Sequence, residues 1–157
     1  MREEAPIRGC LLDTNIAIFS MFQSKSLTPT AKQAVAEGRN FLSVISYWEV
    51  MLKSMKGKLA VGDPQAWWRE ALEQLNATPL LLRPQHVAAV QGLAPIHKDP
   101  FDRMLIAQAS VEGLVLVSSD AAVRKYASKS LRVVGLLRLF FLFFCLIFIT
   151  SIFYYIF

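Results

Sequence analysis

Four carboxylates stand where an α/β chain would bring strand ends and helix starts together: Asp13, Glu49, Asp102 and Asp120. Asp13 closes the short apolar run that starts at Gly9, and Asp120 follows the run Leu114–Val117. Glu49 and Asp102 fall in the first turns of expected helices. Ligands of open parallel sheets bind at the carboxyl ends of the strands, so all four acids can meet on one rim. Two carboxylates about 5 Å apart repel by roughly 3 kcal/mol at an effective dielectric near 20. A hard divalent cation resolves that conflict, because Mg²⁺ or Mn²⁺ takes oxygen ligands, keeps water and bridges to phosphate. The chemistry this set could support is metal-assisted hydrolysis of a phosphodiester.

Each acid also has a plainer use. Asp13 in Asp13-Thr14-Asn15 can form an Asx turn at a strand end. Glu49 can complete a capping box with Ser46, spaced S-x-x-E. Asp102 can complement a helix dipole, and Asp120 can cap a helix. Asp99, directly before Pro100, reads as an N-cap rather than a ligand.

The elements that must position these residues follow from apolar runs and their punctuation. Strands are expected at Gly9–Leu12, Asn40–Val44, Ala77–Leu82, Leu114–Val117 and Leu131–Val134. Helices are expected over Asn15–Met21, Thr28–Glu37, Ser46–Lys56, from Asp63-Pro64, over Pro84–Gly92, from Asp99-Pro100 to Gly113, and from Asp120 to Tyr126. Strands alternating with helices imply an α/β sandwich with a mostly parallel sheet.

At this point the residues resemble a known family. Leu11-Leu12-Asp13-Thr14-Asn15 resembles the opening motif of PIN domains, and Leu42–Met51 (LSVISYWEVM) is similar to the second motif of VapC-type toxins. Lys56-Gly57-Lys58-Leu59 continues that pattern. His97–Ala109 (HKDPFDRMLIAQA), the most specific stretch, resembles the third motif, and Leu114–Asp120 (LVLVSSD) the fourth, with Ser118 where threonine is usual. The resemblance spans about residues 7 to 134. It implies a PIN-like three-layer α/β/α sandwich and a Mg²⁺- or Mn²⁺-dependent endoribonuclease. It further implies the toxin of a type II toxin–antitoxin system, a homodimer held in check by a VapB-type antitoxin, acting on RNA in a prokaryotic cytoplasm. Asp13, Glu49, Asp102 and Asp120 inherit the catalytic and metal-binding roles. Ser118, and with them Thr14 and Asn15, inherit supporting hydrogen-bond roles.

The remaining polar residues are open to two readings. Arg103 suits an RNA phosphate, the neighbouring carboxylate or a surface ion pair. Lys53 and Lys56 suit an RNA backbone, or the negative end of their own helix. His97 suits an approach to substrate or, the preferred reading, a solvated loop histidine. Trp67 and Trp68 read as packing or partner-binding residues rather than base-stacking platforms.

Composition sets the outer limits. The chain has 157 residues and a formal charge of +5, enough for one domain of mildly basic character. Cys10 and Cys145 are the only cysteines, without zinc-ligand spacing, and Cys10 sits in an apolar run as a buried small hydrophobe. The N-terminus is not a secretory signal. Seven of the eleven phenylalanines lie at or beyond Phe140. The chain therefore divides into a domain over 1–135 and a hydrophobic tail over 136–157, atypical for the family. The 19 uncharged residues from Leu139 are near the lower limit for a membrane span. The tail is either such an anchor, which would keep the body cytoplasmic, or a frameshift or read-through extension, with the second slightly favoured. The full chain is then expected to pellet or aggregate, and a chain ending near Gly135 to be soluble.

Two other functional classes compete. A receiver domain shares an acidic Mg²⁺ pocket but needs an acidic pair after the first strand, where Thr14 and Asn15 stand here. An aspartyl phosphatase wants DxD, and Asn15 occupies the third place. A catalytically inactive toxin remnant that only binds antitoxin or RNA is the alternative within the family.

Overall fold

The computed structural model describes residues 8–22, 39–128 and 131–135. The expected helix over Thr28–Glu37, and the tail beyond Gly135 with Cys145, lie outside the described residues. Five short strands form one sheet: β1 (Cys10–Leu12), β2 (Asn40–Ser43), β3 (Ala77–Leu80), β4 (Val115–Ser118) and β5 (Val133–Gly135). The order is β3-β2-β1-β4-β5, and every pairing is parallel. Six helices are described: α1 (Thr14–Phe22), α2 (Val44–Met55), α3 (Pro64–Gln74), α4 (Pro84–Val90), α5 (Pro100–Glu112) and α6 (Ala121–Arg124).

Parallel strands covered on both faces read as continuous apolar runs, and β1 (CLL) and β4 (VLVS) are buried throughout. Successive side chains of a strand point to opposite faces, which divides the core in two. Cys10, Leu12, Val115 and Val117 pack with Ile16 and Ala17 of α1 and Trp67 and Ala71 of α3. Leu11 and Leu116 pack on the other face with Leu105, Ile106 and Ala109 of α5 and with Val123 and Tyr126. The three-layer α/β/α arrangement is the one the sequence implies. Burial pushes the Cys10 thiol above its ordinary range, in keeping with a core residue.

Local signals set most boundaries. Asp63 caps α3 by accepting from the amides of Gln65 and Ala66, with Pro64 at the first helical position. Asp99 caps α5 through the Phe101 amide, and Gly113 ends that helix in the left-handed conformation. Gly9 is obligatory before β1: at φ 151° a Cβ there would lie 2.3 Å from the Arg39 carbonyl oxygen.

One boundary differs from expectation. The capping box assigned to Ser46 and Glu49 does not form, because the N-cap of α2 lies three residues earlier, at Ser43, which accepts from the Ile45 amide. Both serines suit a cap, but β2 ends at Ser43 and the helix follows it directly. Ser46 is thereby drawn inside the helix and buried, and Glu49 moves into the second turn. Among the described residues, no helix is long and apolar enough to cross a membrane.

Candidate active site

The strand order places the chain reversal between β1 and β4, and an open α/β sheet binds ligands outside such a point. Asp13 sits there. Its amide donates to the Val117 carbonyl at 3.0 Å, tying the end of β1 to β4. Its side chain is 2% exposed. One carboxylate oxygen accepts from the Asn15 amide at 3.2 Å, which realises the Asx turn. The other accepts from Ser118 Oγ at 2.5 Å, across the sheet. Burial pushes the Asp13 carboxyl up to about 6, against the pull of Ser118 and Asn15, and repulsion from Glu49 and Asp120 adds to the rise.

Glu49 reaches the same region from α2. Its Oε2 accepts from Thr14 Oγ1 at 2.6 Å, and its Oε1 pairs with Lys53 Nζ at 2.5 Å, one turn along the helix. Lys53 therefore neutralises an acid of the site. Lys56 is exposed at the C-cap of α2 and donates its backbone amide to the Leu52 carbonyl.

Asp102 lies in the first turn of α5. Burial pushes its carboxyl up to about 7, repulsion from Asp13 adds to that, His97 offsets part, and Asp99 and Glu49 contribute further repulsion. Asp120 does two things at once. Its Oδ1 caps α6 by accepting from the Ala122 and Val123 amides, while its Oδ2 faces His97 at 3.3 Å. Burial alone would raise the Asp120 carboxyl, but the Ala122 amide, the His97 ring and the Val123 amide together hold it below the usual range.

His97 is not the solvated loop residue expected from sequence. Its side chain is only 12% exposed, and Nε2 stands 3.2 Å from Asp102 Oδ2 as well as 3.3 Å from Asp120 Oδ2. The only signal for it was its place at the head of the HKDPFDR stretch. Arg103 likewise departs from expectation. Its guanidinium donates to the carbonyls of Val90, Leu93, Ala94 and His97 and to the Tyr126 hydroxyl. Tyr126 in turn accepts from the amides of Ile96 and His97. This arginine holds the segment leading into α5 rather than a carboxylate or an outer ion pair.

Beside the acids, Trp48 is 55% exposed and meets Phe101 edge to face, with ring centroids 5.1 Å apart. Trp67 is buried in the core and Trp68 stacks on Tyr47, so both serve packing.

The structure thus brings Glu49, Asp102 and Asp120 within electrostatic reach of Asp13, with Thr14 bonded to Glu49 and with Asn15 and Ser118 bonded to Asp13. Of these acids, Asp102 and Asp120 offer ligand atoms within 4.8 Å of one another, together with His97, and a hard divalent cation suits such carboxylate oxygens. Two of the acids are pushed toward neutrality, Asp13 by burial and by repulsion from Glu49 and Asp120, and Asp102 by burial and by repulsion from Asp13, Asp99 and Glu49. Lys53 is bonded to Glu49, not to Asp13 or Asp102. Ser46 Oγ, one turn before Glu49 on α2, is buried without a hydrogen-bond partner.

Comparison with known proteins agrees with this fold. The family model described as PIN domain matches residues 10–129. Among solved structures, VapBC2 from Rickettsia felis, bound to a DNA fragment from its promoter, superposes with a TM-score of 0.60 at 14% identity, covering 81% of this chain and 98% of the other. DNA-bound VapBC from Salmonella typhimurium gives 0.57 at 16% identity, covering 82% and 98%. A toxin–antitoxin complex from Klebsiella pneumoniae gives 0.53 at 21% identity, covering 80% and 96%. At these identities the likeness is one of fold. No curated protein matches the chain.

Proposed function

Because this chain belongs to the PIN domain family, we propose that it is the toxin of a VapBC-type toxin–antitoxin pair and an endoribonuclease dependent on Mg²⁺ or Mn²⁺. The observation that carries this reading is the gathering of acids from separate elements: Asp102 and Asp120 both stand within 3.3 Å of His97 Nε2, and burial and repulsion from the other acids raise the carboxyls of Asp13, at the sheet's chain reversal, and of Asp102. Such an arrangement is costly in a merely structural site and suits a cation that carries phosphate.

Asp13 and Asp102 would hold the ion, with Glu49 and Asp120 flanking it. When bound, the ion supplies charge neutralisation at the phosphoryl oxygens and a lowered pKa for water. Ser118 and Asn15 orient Asp13. Thr14 and Lys53 fix Glu49. Attack of water in line with the scissile bond then leaves a 5′-phosphate and a 3′-hydroxyl. The fold neighbours are toxin–antitoxin complexes, which supports a VapB-type antitoxin as partner; an RNA substrate, a homodimer and a cytoplasmic site of action belong to the same proposal. The nuclease domain is assigned to residues 1–135, and residues 136–157 to an extension outside it.

The test is cleavage of RNA by the full chain with Mg²⁺ or Mn²⁺ and with excess EDTA, beside Asp13→Asn and Asp102→Asn. Activity that survives EDTA, or is undiminished in either variant, refutes the mechanism. A folded chain with no activity points to the inactive remnant.

A further inference from the structure

His97, Asp102 and Asp120 offer ligand atoms that all lie within 4.8 Å of one another, the spacing of a metal triad. The hydrogen bonding of the imidazole points elsewhere. The Asp99 amide donates to His97 Nδ1 at 3.1 Å. An imidazole nitrogen that accepts a hydrogen bond carries no proton, so the ring proton sits on the other nitrogen. That nitrogen, Nε2, faces the two carboxylates, at 3.2 Å from Asp102 and 3.3 Å from Asp120. A protonated Nε2 has no lone pair for a metal. Ligation would require the ring to move its proton to Nδ1, against the Asp99 N–H, and that amide would lose its acceptor.

The rest of the loop fixes this orientation. The His97 amide donates to the Tyr126 hydroxyl at 2.9 Å, and its carbonyl accepts from Arg103. Asp99, whose amide sets the tautomer, is itself held as the N-cap of α5 through Phe101. These bonds hold the backbone on either side of the ring, and turning the ring itself breaks its bonds to the Asp99 amide and to Asp120.

We propose that His97 is a positioning residue, locked by the Asp99 amide as an Nε2–H donor to Asp120, with Asp102 beside the same nitrogen at 3.2 Å, and does not ligate the metal. The reading rests on the proposed nuclease site and deepens it. The ion's protein ligands are then oxygen only, the set that suits Mg²⁺ and Mn²⁺ rather than the nitrogen- and sulfur-rich set preferred by Zn²⁺. The N–H holds Asp120, at the start of α6, and sets the imidazole beside Asp102 of α5.

The test uses the full chain in detergent, with ¹⁵N-labelled histidine. Long-range ¹H–¹⁵N correlation should show His97 with a pyridine-type Nδ1 and a pyrrole-type Nε2, before and after addition of Mg²⁺. His86 is the only other histidine, and His97→Gln assigns the signals. A proton on Nδ1 in either state overturns the proposal. With Mn²⁺ bound, electron spin-echo spectra should lack a directly coordinated nitrogen, and such a signal that vanishes in His97→Gln also overturns it. His97→Gln keeps an N–H donor and should hold kcat within about threefold. His97→Leu should lose about tenfold or more in kcat, with KM little changed. Equal losses in the two folded variants count against the donor role. A wild-type chain that neither binds Mn²⁺ nor cuts RNA would sink the nuclease reading, whereas the tautomer is read without activity and stands or falls separately.

Discussion

Ser118 Oγ donates to Asp13 Oδ2 at 2.5 Å, joining residues 105 positions apart across the boundary between β1 and β4. The bond holds a buried acid at the carboxyl edge of the sheet, and it works against the burial that raises this acid's pKa.

Ser118→Ala should therefore act on Asp13 as well as on packing. Leaving a buried acceptor without its donor typically costs about 1–3 kcal/mol. Denaturant unfolding should show a loss in that range at neutral pH. The Asp13 carboxyl should titrate higher than in the wild type, which carboxyl-carbon NMR would follow. An unchanged titration would mean that the hydroxyl does not hold this acid.

The pH dependence of stability has a definite sign. Asp13 and Asp102 have folded-state values near 6 and 7, above the ordinary 3.8. Between these limits the folded state binds more protons than the unfolded state, so stability falls as pH rises through that window. In EDTA the protein should melt lower at pH 8 than at pH 5. Excess Mg²⁺ or Mn²⁺ should recover the loss at pH 8, by binding the folded state alone. A melting point that rises from pH 5 to pH 8 in EDTA would contradict the strain assigned to these acids.

Asp102→Asn separates stability from activity. It removes one of two repelling charges, so in EDTA at pH 8 the variant should be more stable than the wild type by on the order of 1 kcal/mol. RNA cleavage should be abolished. Thermal unfolding and a gel assay on the same preparation would check both, and a variant that is destabilised in EDTA would argue that Asp102 is favourably paired.

Arg103→Ala should unfold the loop before α5 rather than weaken contact with phosphate. Its guanidinium serves four backbone carbonyls and one hydroxyl. Loss of several such bonds should cost roughly 2–4 kcal/mol. Arg103→Lys should recover little, because an ammonium lacks the planar fork that reaches several carbonyls. The salt dependence of RNA binding by folded Arg103→Lys should match the wild type, since no phosphate contact is lost. A reduced salt slope would restore the phosphate role.

Gly9→Ala tests the backbone rather than the site. The added Cβ would fall 2.3 Å from the Arg39 carbonyl oxygen at φ 151°. A loss of about 3 kcal/mol or more, or failure to fold, is expected in denaturant unfolding. A stable variant would place the start of β1 elsewhere.

Much of the architecture was legible in the chain because its signals are local. The buried runs CLL and VLVS, the caps Asp63 and Asp99 before proline and the stop at Gly113 all act within a few residues. Strand ends then placed Asp13 and Asp120, and the motif stretches placed Glu49 and Asp102. The start of α2 was misread because Ser43 and Ser46 are both competent caps, and only the end of β2 chooses between them. The partners of side chains were beyond reach of the sequence. His97 meets Asp120, and Arg103 meets the carbonyls of Val90 and Leu93, because loops and helices from separate stretches converge on the sheet edge, whereas Lys53 and Glu49, four residues apart on one helix, pair locally. Hydrogen bonds and carboxyl titration depend on distances of a few ångströms between residues far apart in the chain. Periodicity and punctuation fix which elements form, but only their packing sets those distances.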